Sequence, residues 1–287
     1  MNELNEYNNP NQRSRREFLR NVAWAGAGVT AACTVPGLLL PVPAEAGIFP
    51  KPSPEEQKKI GAEAAKKVLQ QYRQVTDGRA AHFQQIGRRL VNGLPAKDRQ
   101  LWDFKFYVLE SKDANAFALP GGPMFILTGL YSQMATSDEL AAVTGHEMAH
   151  VHKEHWAKAY VKQQERQGLL GIGLVLLGKK GGQAAQTIAG LADNALGAKF
   201  SRGEEDEADK AALQDLVAAN FNPTGMLQLF ETLQKQGGGG GGGKLGEFLA
   251  SHPLTSTRIS NTKKRIAALG NRRFAAPTPL NYKRLVG

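Results

Sequence analysis

The sequence predicts an α+β domain that is mostly α-helical and contains one small β-sheet. Two helix starts, Ser53-Pro54-Glu55-Glu56 and Ser137-Asp138-Glu139-Leu140, carry an N-cap serine followed by acidic residues. Between them lie three short segments rich in aromatic and branched residues, which predict strands. Helical patterns fill most of the remaining chain, so helices outnumber strands in the predicted fold.

The first predicted helix begins after Ser53. Serine at the N-cap, proline in the first turn and two acids at the positive end of the helix dipole all favour a start there. This helix is expected to run to Val75. A second helix is expected over Arg79–Asn92.

The strand patterns follow these two helices. Residues 103–109 alternate apolar and polar side chains at their start, and residues 115–119 and 124–128 give two more strands. Pro120-Gly121-Gly122-Pro123 joins the last two. Because proline cannot donate a ladder hydrogen bond, a proline at each end of this turn suits a hairpin at a sheet edge.

The second half of the chain is predicted to be helical with two interruptions. The predicted helices cover residues 137 to about 167, 183–200, 203–219, 223–235 and 255–269. The first interruption, residues 169–178, is an apolar run too short to span a bilayer, and a buried segment or packed loop is favoured over a membrane dip. The second, residues 237–243, is seven consecutive glycines and predicts a flexible loop.

The N-terminus has the features of an export signal. Ser14-Arg15-Arg16-Glu17-Phe18-Leu19-Arg20 closely matches the twin-arginine pattern, and a weakly apolar stretch leads to Ala44-Glu45-Ala46, a small-x-small cleavage pattern. Retention as a membrane anchor is the alternative. Cleavage after Ala46 is favoured because Pro36 and several glycines weaken a spanning helix.

This signal defines the predicted domain organisation. Residues 1–46 form the signal, and residues 47–287 form one domain with a core at about 54–269. The only cysteine, Cys33, lies within the signal, so the domain is expected to fold without a disulfide. The predicted destination is the periplasm.

The net charge of +10 limits the classes of partner. Because the protein is expected to be exported, we expect no nucleic-acid partner. Anionic lipid headgroups, which would give peripheral contact with a membrane surface, and acidic polypeptides are better candidates. A basic surface that only confers solubility is an equally good interpretation.

Residues 146–155 read HEMAHVHKEH and contain four of the six histidines. His146, Glu147 and His150 match the H-E-x-x-H pattern of zinc peptidases. On a helix, histidines four residues apart lie about 40° apart on one face and can bind one Zn²⁺, with Glu147 directed toward a water. For the motif alone, a surface helix with solvated histidines is the alternative.

The other two histidines of this segment are predicted to face away from that stripe. On the helical wheel His152 and His155 lie about 240° and 180° from His146. Ten residues after His146, where a metzincin would have its third histidine, stands Trp156. A metzincin is therefore excluded, and a third ligand must come from elsewhere in the chain.

The acidic helix start at 201–209, SRGEEDEAD, is the best source of that ligand. Glu205 and Asp209 are four residues apart and project from one face, so one can bind the metal while the other orients a ligand imidazole. An acidic first turn that only complements the helix dipole is the alternative. Spacing alone does not rank Glu204, Glu205 and Glu207.

Four ordered motifs give the chain a family resemblance over about residues 54–269. SRGEEDEAD fits S-R-x-x-E-x-x-A-D, and with the H-E-x-x-H motif it resembles the HtpX-like family of zinc metallopeptidases, which includes Oma-type and BepA-type enzymes. Residues 115–122 are similar to the family's N-A-F-A-x-P-G-G edge strand. Ser251-His252-Pro253, followed by Arg258, is similar to its late H-P-x-x-x-x-R element.

The resemblance implies a zincin-like fold with one Zn²⁺ per chain. Glu205 would be the third zinc ligand beside His146 and His150, and Asp209 and Arg258 would support the ligands. The edge strand would line the active-site cleft and bind extended, unfolded polypeptide substrates by strand addition. Its substrate-binding residues would be Asn115, Ala116, Phe117, Ala118 and Leu119.

The function implied is an exported zinc metalloendopeptidase that cleaves unfolded or misfolded envelope proteins in protein quality control. Glu147 would be the general base. His252 has two candidate roles, a donor to the oxyanion or an occupant of the open zinc position in a latent enzyme, and a structural His-Pro turn is the third interpretation. A chaperone or assembly factor for envelope proteins that rarely cuts is the alternative function.

Overall fold

The computed structural model describes residues 51–167, 199–237 and 246–286. Helices surround one four-stranded sheet, so the predicted α+β, mostly helical fold class is confirmed. Several predictions lie outside the described residues: the export signal, the apolar run 169–178, nearly all of the helix predicted at 183–200, and glycines 238–243. In the described ranges, every helix is too short or too polar to cross a bilayer.

The secondary structure is numbered here in chain order. The helices are α1 (Pro54–Gln71), α2 (Gly78–Gly93), α3 (Ala96–Leu101), α4 (Thr128–Tyr131), α5 (Ser137–His152), α6 (His155–Gln167), α7 (Arg202–Ala218), α8 (Gly225–Gly237), α9 (Gly246–Ser251), α10 (Ser256–Ala267) and α11 (Tyr282–Val286). The strands are β1 (Gln74–Val75), β2 (Lys105–Leu109), β3 (Ala116–Ala118) and β4 (Pro123–Leu127).

Reciprocal capping boxes fix the starts of three helices. Ser53 caps α1 with Glu56, and Ser201 caps α7 with Glu204. The N-cap of α5 is Thr136, one residue before the predicted Ser137. The predicted end of α1 at Val75 is wrong, because that residue pairs with β2 as part of β1.

The sheet has the order β1-β2-β4-β3, with β2 and β4 parallel and the other pairs antiparallel. The short strand β3 is therefore an edge strand, as predicted. The turn before β4 contains Gly121 and Gly122, with φ of 80° and 133°. Side chains at these two positions would be strained in the turn and would meet the backbone of Lys58 and of Asp103.

The sheet is buried on both faces, and β4 shows how. Met124 and Ile126 point into a core shared with α2 and α5, whereas Phe125 and Leu127 point into a second core shared with α1 and α6. All five residues of β4 are buried, which explains why its sequence is continuously apolar rather than alternating.

Helix α5 is the central helix, and small residues let it approach α7 closely. Gly145 lies against Ala212, and Ala149 forms an apolar cluster with Ala208 and Ala211. Because these side chains are short, polar residues one turn away on each helix come within hydrogen-bonding distance of one another. We infer that this close packing of alanine and glycine brings the two predicted ligand helices together.

Residues 270–286, called here the C-terminal strap, return to the start of α5. Ser137 N donates to Thr278 O at 2.8 Å, and Leu280 N donates to Ala135 O at 2.8 Å. Beyond this, Arg79 of α2 donates to the hydroxyl of Tyr282 at 2.8 Å. The strap thus anchors the start of the helix that carries H-E-x-x-H.

Candidate metal centre

Four buried side chains from three parts of the fold meet at one point. His146 and His150 come from α5, Glu205 comes from the first turns of α7, and His252 follows the end of α9. Each is less than 5% exposed. One ligand atom from each residue lies within 4.8 Å of all the others, so the described residues include a potential four-ligand metal site.

The spacing of the donor atoms fits a tetrahedral ion. His146 Nε2 lies 3.1 Å from His150 Nε2 and 3.3 Å from His252 Nδ1. The Glu205 carboxylate lies 3.4 Å from the Nε2 atom of both α5 histidines and 3.0 Å from His252 Nδ1. Zinc bonds of about 2.0–2.1 Å in a tetrahedron separate ligand atoms by about 3.4 Å. Nitrogen and carboxylate donors at this spacing suit Zn²⁺.

Asp209 and Arg258 lie directly behind this donor set. Asp209 Oδ1 is 3.0 Å from His146 Nδ1, the ring nitrogen that faces away from the donors. Arg258 binds Asp209 with two nitrogens, at 2.6 and 2.7 Å, and its third lies 2.8 Å from Glu205 Oε2. The structure therefore places both predicted supporting residues directly against donor residues, Asp209 beside His146 and Arg258 beside Glu205.

The three acidic candidates of α7 occupy different places. Only Glu205 reaches the donor cluster. Glu204 caps its own helix and accepts from Lys162 at 2.9 Å, while Glu207 Oε2 lies 3.2 Å from His155 Nε2. The geometry thus provides the ranking that sequence spacing left open.

The prediction that His155 faces away from the metal histidines is wrong. The wheel assumed one continuous helix, but α5 ends at His152, and Glu154 turns the chain with a φ of 55°. His155 begins α6 and is fully buried, with its Nδ1 2.9 Å from His150 Nδ1. His152 does face elsewhere, and its Nε2 lies 3.0 Å from Asp215 Oδ2.

Glu147 lies between the donor cluster and the edge strand. Its Oε2 accepts a hydrogen bond from Ala118 N at 3.0 Å. Its Oε1 is buried without a hydrogen-bond partner and lies 3.4 Å from His252 Nε2. Glu147 therefore has one carboxylate oxygen at the edge strand and the other beside the donor cluster.

The edge strand presents alternate peptide groups to the site. Asn115 O accepts from Leu127 N at 2.9 Å, and Leu119 N donates to Pro123 O at 2.8 Å, so these residues bond to β4. Since hydrogen-bonding direction alternates along an antiparallel strand, Ala116 and Ala118 direct their peptide groups away from β4. Phe117 stacks on Phe125 with ring centroids 5.1 Å apart, on the face away from α5.

The pKa shifts follow from burial and from the carboxylates. Burial lowers the pKa of His146, but Asp209 and Glu205 outweigh it and raise that pKa to about 9. Burial lowers the pKa of His150 and raises the pKa of Glu147. Burial also opposes ionisation of Glu205, but hydrogen bonds from the three histidines outweigh it and lower the pKa of this carboxyl. The site thus favours an ionised Glu205.

Sequence reasoning missed two aromatic neighbours of the ligands. Phe200 lies parallel to the His150 ring, with centroids 4.0 Å apart and an interplanar angle of 23°. Phe248 lies 5.1 Å from the His252 ring. Neither belongs to a ligand pattern, and the one available signal was that Phe200 immediately precedes the SRGEEDEAD segment.

Comparison with known proteins extends the description of this site. The sequence model of peptidase family M48 matches residues 77–266. The chain is 33% identical over 170 residues to a beta-barrel assembly-enhancing protease of Yersinia pestis, covering 56% of this chain and 34% of that protein. It is 34% identical over 178 residues to the mitochondrial metalloendopeptidase OMA1 of Saccharomyces cerevisiae, covering 59% and 50%.

A third relative is the metalloprotease LoiP of Escherichia coli, 29% identical over 186 residues, with 63% of this chain and 66% of that protein covered. The chain therefore spans about a third of the length of the Yersinia protein, half of OMA1 and two thirds of LoiP. The part of the chain that the family model matches includes the donor cluster and the edge strand.

Proposed function

We propose, since the chain belongs to peptidase family M48 and has the catalytic domain of a zinc metalloendopeptidase, that it hydrolyses peptide bonds of unfolded or misfolded envelope proteins. The observation that carries the proposal is the position of Glu147. Its carboxylate faces the four-donor cluster on one side and the edge strand on the other. A base in that position serves both the metal site and a peptide lying along the strand.

His146, His150 and Glu205 would hold the metal, as their mutual spacing supports. Zinc supplies Lewis acidity when bound, which polarises a carbonyl and makes water a stronger acid. Asp209 keeps the His146 ring turned toward the donor cluster, and Arg258 offsets the negative charge of Asp209 and Glu205. The site therefore combines a buried carboxylate ligand with a cation that limits repulsion between carboxylates.

Glu147 would act as general base and then as general acid. It takes a proton from the attacking water and passes it to the leaving amine. Burial raises the pKa of its carboxyl, which makes the carboxylate a stronger base than an exposed glutamate. Its bond from Ala118 N holds the side chain at the edge strand, where the scissile peptide would lie.

The substrate would bind as an added strand beside β3. Ala116 offers its outward N–H and C=O and Ala118 its C=O, since Ala118 N already donates to Glu147; backbone hydrogen bonds recognise any extended chain regardless of its side chains. This mode predicts loose sequence preference and selects unfolded polypeptides, because a folded protein has few free strand edges. The name of the Yersinia relative, a beta-barrel assembly-enhancing protease, supports substrates among beta-barrel proteins.

We propose that His252 holds the enzyme in a latent form. Its Nδ1 lies among the donors, 3.0 Å from Glu205 and 3.3 Å from His146 Nε2, where a fourth ligand would exclude water. His252→Ala is then expected to increase casein turnover. A fall of about 10²- to 10³-fold would instead make His252 an oxyanion donor, and unchanged turnover and zinc content would leave a structural residue.

The location proposed for this activity is the periplasm, after export by the twin-arginine route. That route carries folded proteins, so zinc could be loaded in the cytoplasm, where a latent form would protect other proteins. Peripheral contact with an anionic membrane surface is proposed on the charge of +10. Fractionation of cells that produce the protein, followed by a high-salt wash of the membranes, tests both points.

The decisive experiment compares wild type with Glu147→Gln on unfolded casein while zinc content is measured. Glutamine keeps an oxygen for the bond from Ala118 N, so the fold is retained. Loss of about 10²- to 10⁴-fold in turnover at unchanged zinc content supports the peptidase. No cleavage by either protein, also when each carries His252→Ala, with equal suppression of aggregation, would replace the peptidase with the chaperone function, for which the fourth donor at His252 is the supporting observation.

A further inference from the structure

We propose that His155 is a positioning residue that fixes the proton and the ring orientation of the ligand His150. The proposal rests on the proposed function only in that the donor cluster holds zinc. His155 touches neither a substrate site nor the other donors. Its effect would therefore be exerted through His150 and would be seen first in metal affinity.

The inference rests on a hydrogen-bonded chain of three side chains, His150, His155 and Glu207. His150 Nε2 faces the donors, and its other nitrogen, Nδ1, lies 2.9 Å from His155 Nδ1. The second nitrogen of His155, Nε2, lies 3.2 Å from Glu207 Oε2. The chain thus runs from the donor cluster through a fully buried imidazole to a carboxylate at the surface.

The donor cluster at one end of this hydrogen-bonded chain and Glu207 at the other determine where its protons lie. A histidine that binds a metal through Nε2 carries its proton on Nδ1. His150 Nδ1–H must then donate to His155 Nδ1, which leaves the His155 proton on Nε2. That proton is directed at Glu207, a carboxylate that can only accept. Each donor meets an acceptor, and only this arrangement of protons satisfies all three residues.

The ring of His150 is also held on a second side. Phe200 lies parallel to it at 4.0 Å between centroids, so the imidazole is limited in tilt by the aromatic ring and in rotation by His155. The other ligand histidine is supported differently, because His146 faces the carboxylate of Asp209 directly. The two zinc imidazoles would therefore differ in basicity, with the neutral partner behind His150.

Another histidine with a buried side chain, His152, is a matched control for His155. His152 lies three residues from His155, is also paired with a carboxylate, Asp215, and has a side chain only 4% exposed. It differs in making no contact with a metal ligand among the described residues. Loss of a buried histidine–carboxylate pair as such can therefore be separated from loss of the contact to His150.

Substitution of His155 by asparagine or by glutamine tests its two contacts separately. In His155→Asn the side-chain oxygen would stand near the former Nδ1 and accept from His150, whereas in His155→Gln the longer amide would reach toward Glu207 and leave His150 Nδ1–H unpaired. The test measures zinc affinity by competition with a chromophoric chelator, the visible absorption of the Co²⁺-substituted protein, and thermal unfolding of the metal-free protein. His155→Ala, Glu207→Ala and His152→Ala complete the set.

We expect zinc affinity to fall roughly 10- to 100-fold in His155→Ala and His155→Gln. His155→Asn should stay within about 3-fold of wild type, since one acceptor is enough to satisfy His150. Glu207→Ala should have a smaller effect than His155→Ala, because its side chain is 46% exposed and water can replace it. His152→Ala should retain wild-type zinc affinity and Co²⁺ absorption.

Equal losses in His155→Asn and His155→Gln, or wild-type affinity in His155→Ala, would overturn the proposal. If His155→Ala does not fold, the asparagine and glutamine variants still decide. None of these readouts requires proteolysis. A protein that binds zinc but cleaves nothing, even as His252→Ala, would refute the proposed peptidase and leave this test intact, whereas a wild-type protein without zinc affinity would refute both.

Discussion

The two ends of helix α5 bury the same kinds of polar side chain and use them differently. At the amino-terminal end, Asp138 accepts from Asn222 N at 2.8 Å and from Thr278 N at 2.9 Å. Glu139 accepts from Ala135 N at 2.5 Å and from the hydroxyl of Thr232 at 3.1 Å. Every carboxylate oxygen there has a partner, so these acids connect α5 to neighbouring segments.

The carboxyl-terminal half shows the opposite state. Glu147 Oε1 is buried without a hydrogen-bond partner, and the Nε2 atoms of His146 and His150 lie 3.1 Å apart in a cluster of donors that converge on one point. Both ends are equally buried. Burial of charge thus does not mark function in this helix. The two ends differ in the partners of their polar groups, because the acids at the amino-terminal end bond to neighbouring segments, whereas His146 and His150 converge with Glu205 and His252 on a potential metal site.

The strongest test of this comparison removes Glu205. Glu205→Ala should abolish zinc retention and reduce casein turnover roughly 10⁴-fold, since the carboxylate is a ligand in the proposed site. Zinc content and turnover of the purified variant check this. Glu204→Gln is the matched control, because it is the adjacent buried acid and glutamine keeps the capping box. Equal zinc loss in both variants would contradict the assignment.

A second test breaks the buried ion pairs behind the ligands. Arg258→Met should lower the free energy of unfolding by about 3–5 kcal/mol, since it leaves Asp209 and Glu205 buried without their cation. Urea unfolding measures it. Arg265→Met on the same helix is the control, because its pair with Asp206 is partly exposed. A change below about 1 kcal/mol is expected there. Similar losses in the two variants would argue against a special role for Arg258.

Local features such as helix starts and turns could be predicted from the sequence, whereas contacts between segments far apart in the sequence could not. Capping residues predicted the start of α1 and came within one residue of the start of α5, and prolines around Gly121 and Gly122 predicted an edge strand, because these are local effects of backbone geometry. The sequence pattern predicts a helix through Val75, whereas this residue pairs with Val108 of β2 as part of β1. Tertiary pairing outweighed local pattern at that position.

The site shows the same division. The proximity of His146 and His150 follows from their spacing on one helix and could be predicted directly. The position of His155 could not be predicted, because the helix ends at His152 and Glu154, with a positive φ, redirects the chain. The helical wheel of α5 therefore does not apply to His155. The contact of Phe200 with His150 and the return of the C-terminal strap to α5 join residues far apart in sequence, and no local pattern encodes them.

At the amino-terminal end, Asp138→Ala should destabilise the protein without touching the metal site. Asn222 N and Thr278 N would lose a buried acceptor, and the free energy of unfolding should fall by about 2–4 kcal/mol. Zinc affinity of the folded variant should stay at the wild-type value. Asp113→Asn, on an exposed loop, should change stability by less than about 0.5 kcal/mol. A loss of zinc affinity in Asp138→Ala would show that the two ends are not independent.

The smallest expected effect is on the pH dependence of stability and comes from His82, beside the amino-terminal end of α5. His82 is hydrogen-bonded to Tyr131 at 2.8 Å and to Ser137, the first residue of α5, at 3.1 Å. Burial lowers the pKa of His82 below its ordinary value of 6.5. The unfolded chain therefore binds this proton more readily than the folded one, and stability falls as the pH drops below about 6.5.

His82→Gln removes this titration and keeps a hydrogen-bonding side chain. The difference in unfolding free energy between pH 7.5 and pH 5.5 should be smaller in His82→Gln than in wild type, measured on metal-free protein so that zinc release does not contribute. The shift should be less than the loss expected for Asp138→Ala, because His82 is only partly buried. Parallel pH dependence in the two proteins would mean that His82 is protonated equally in the folded and unfolded chains.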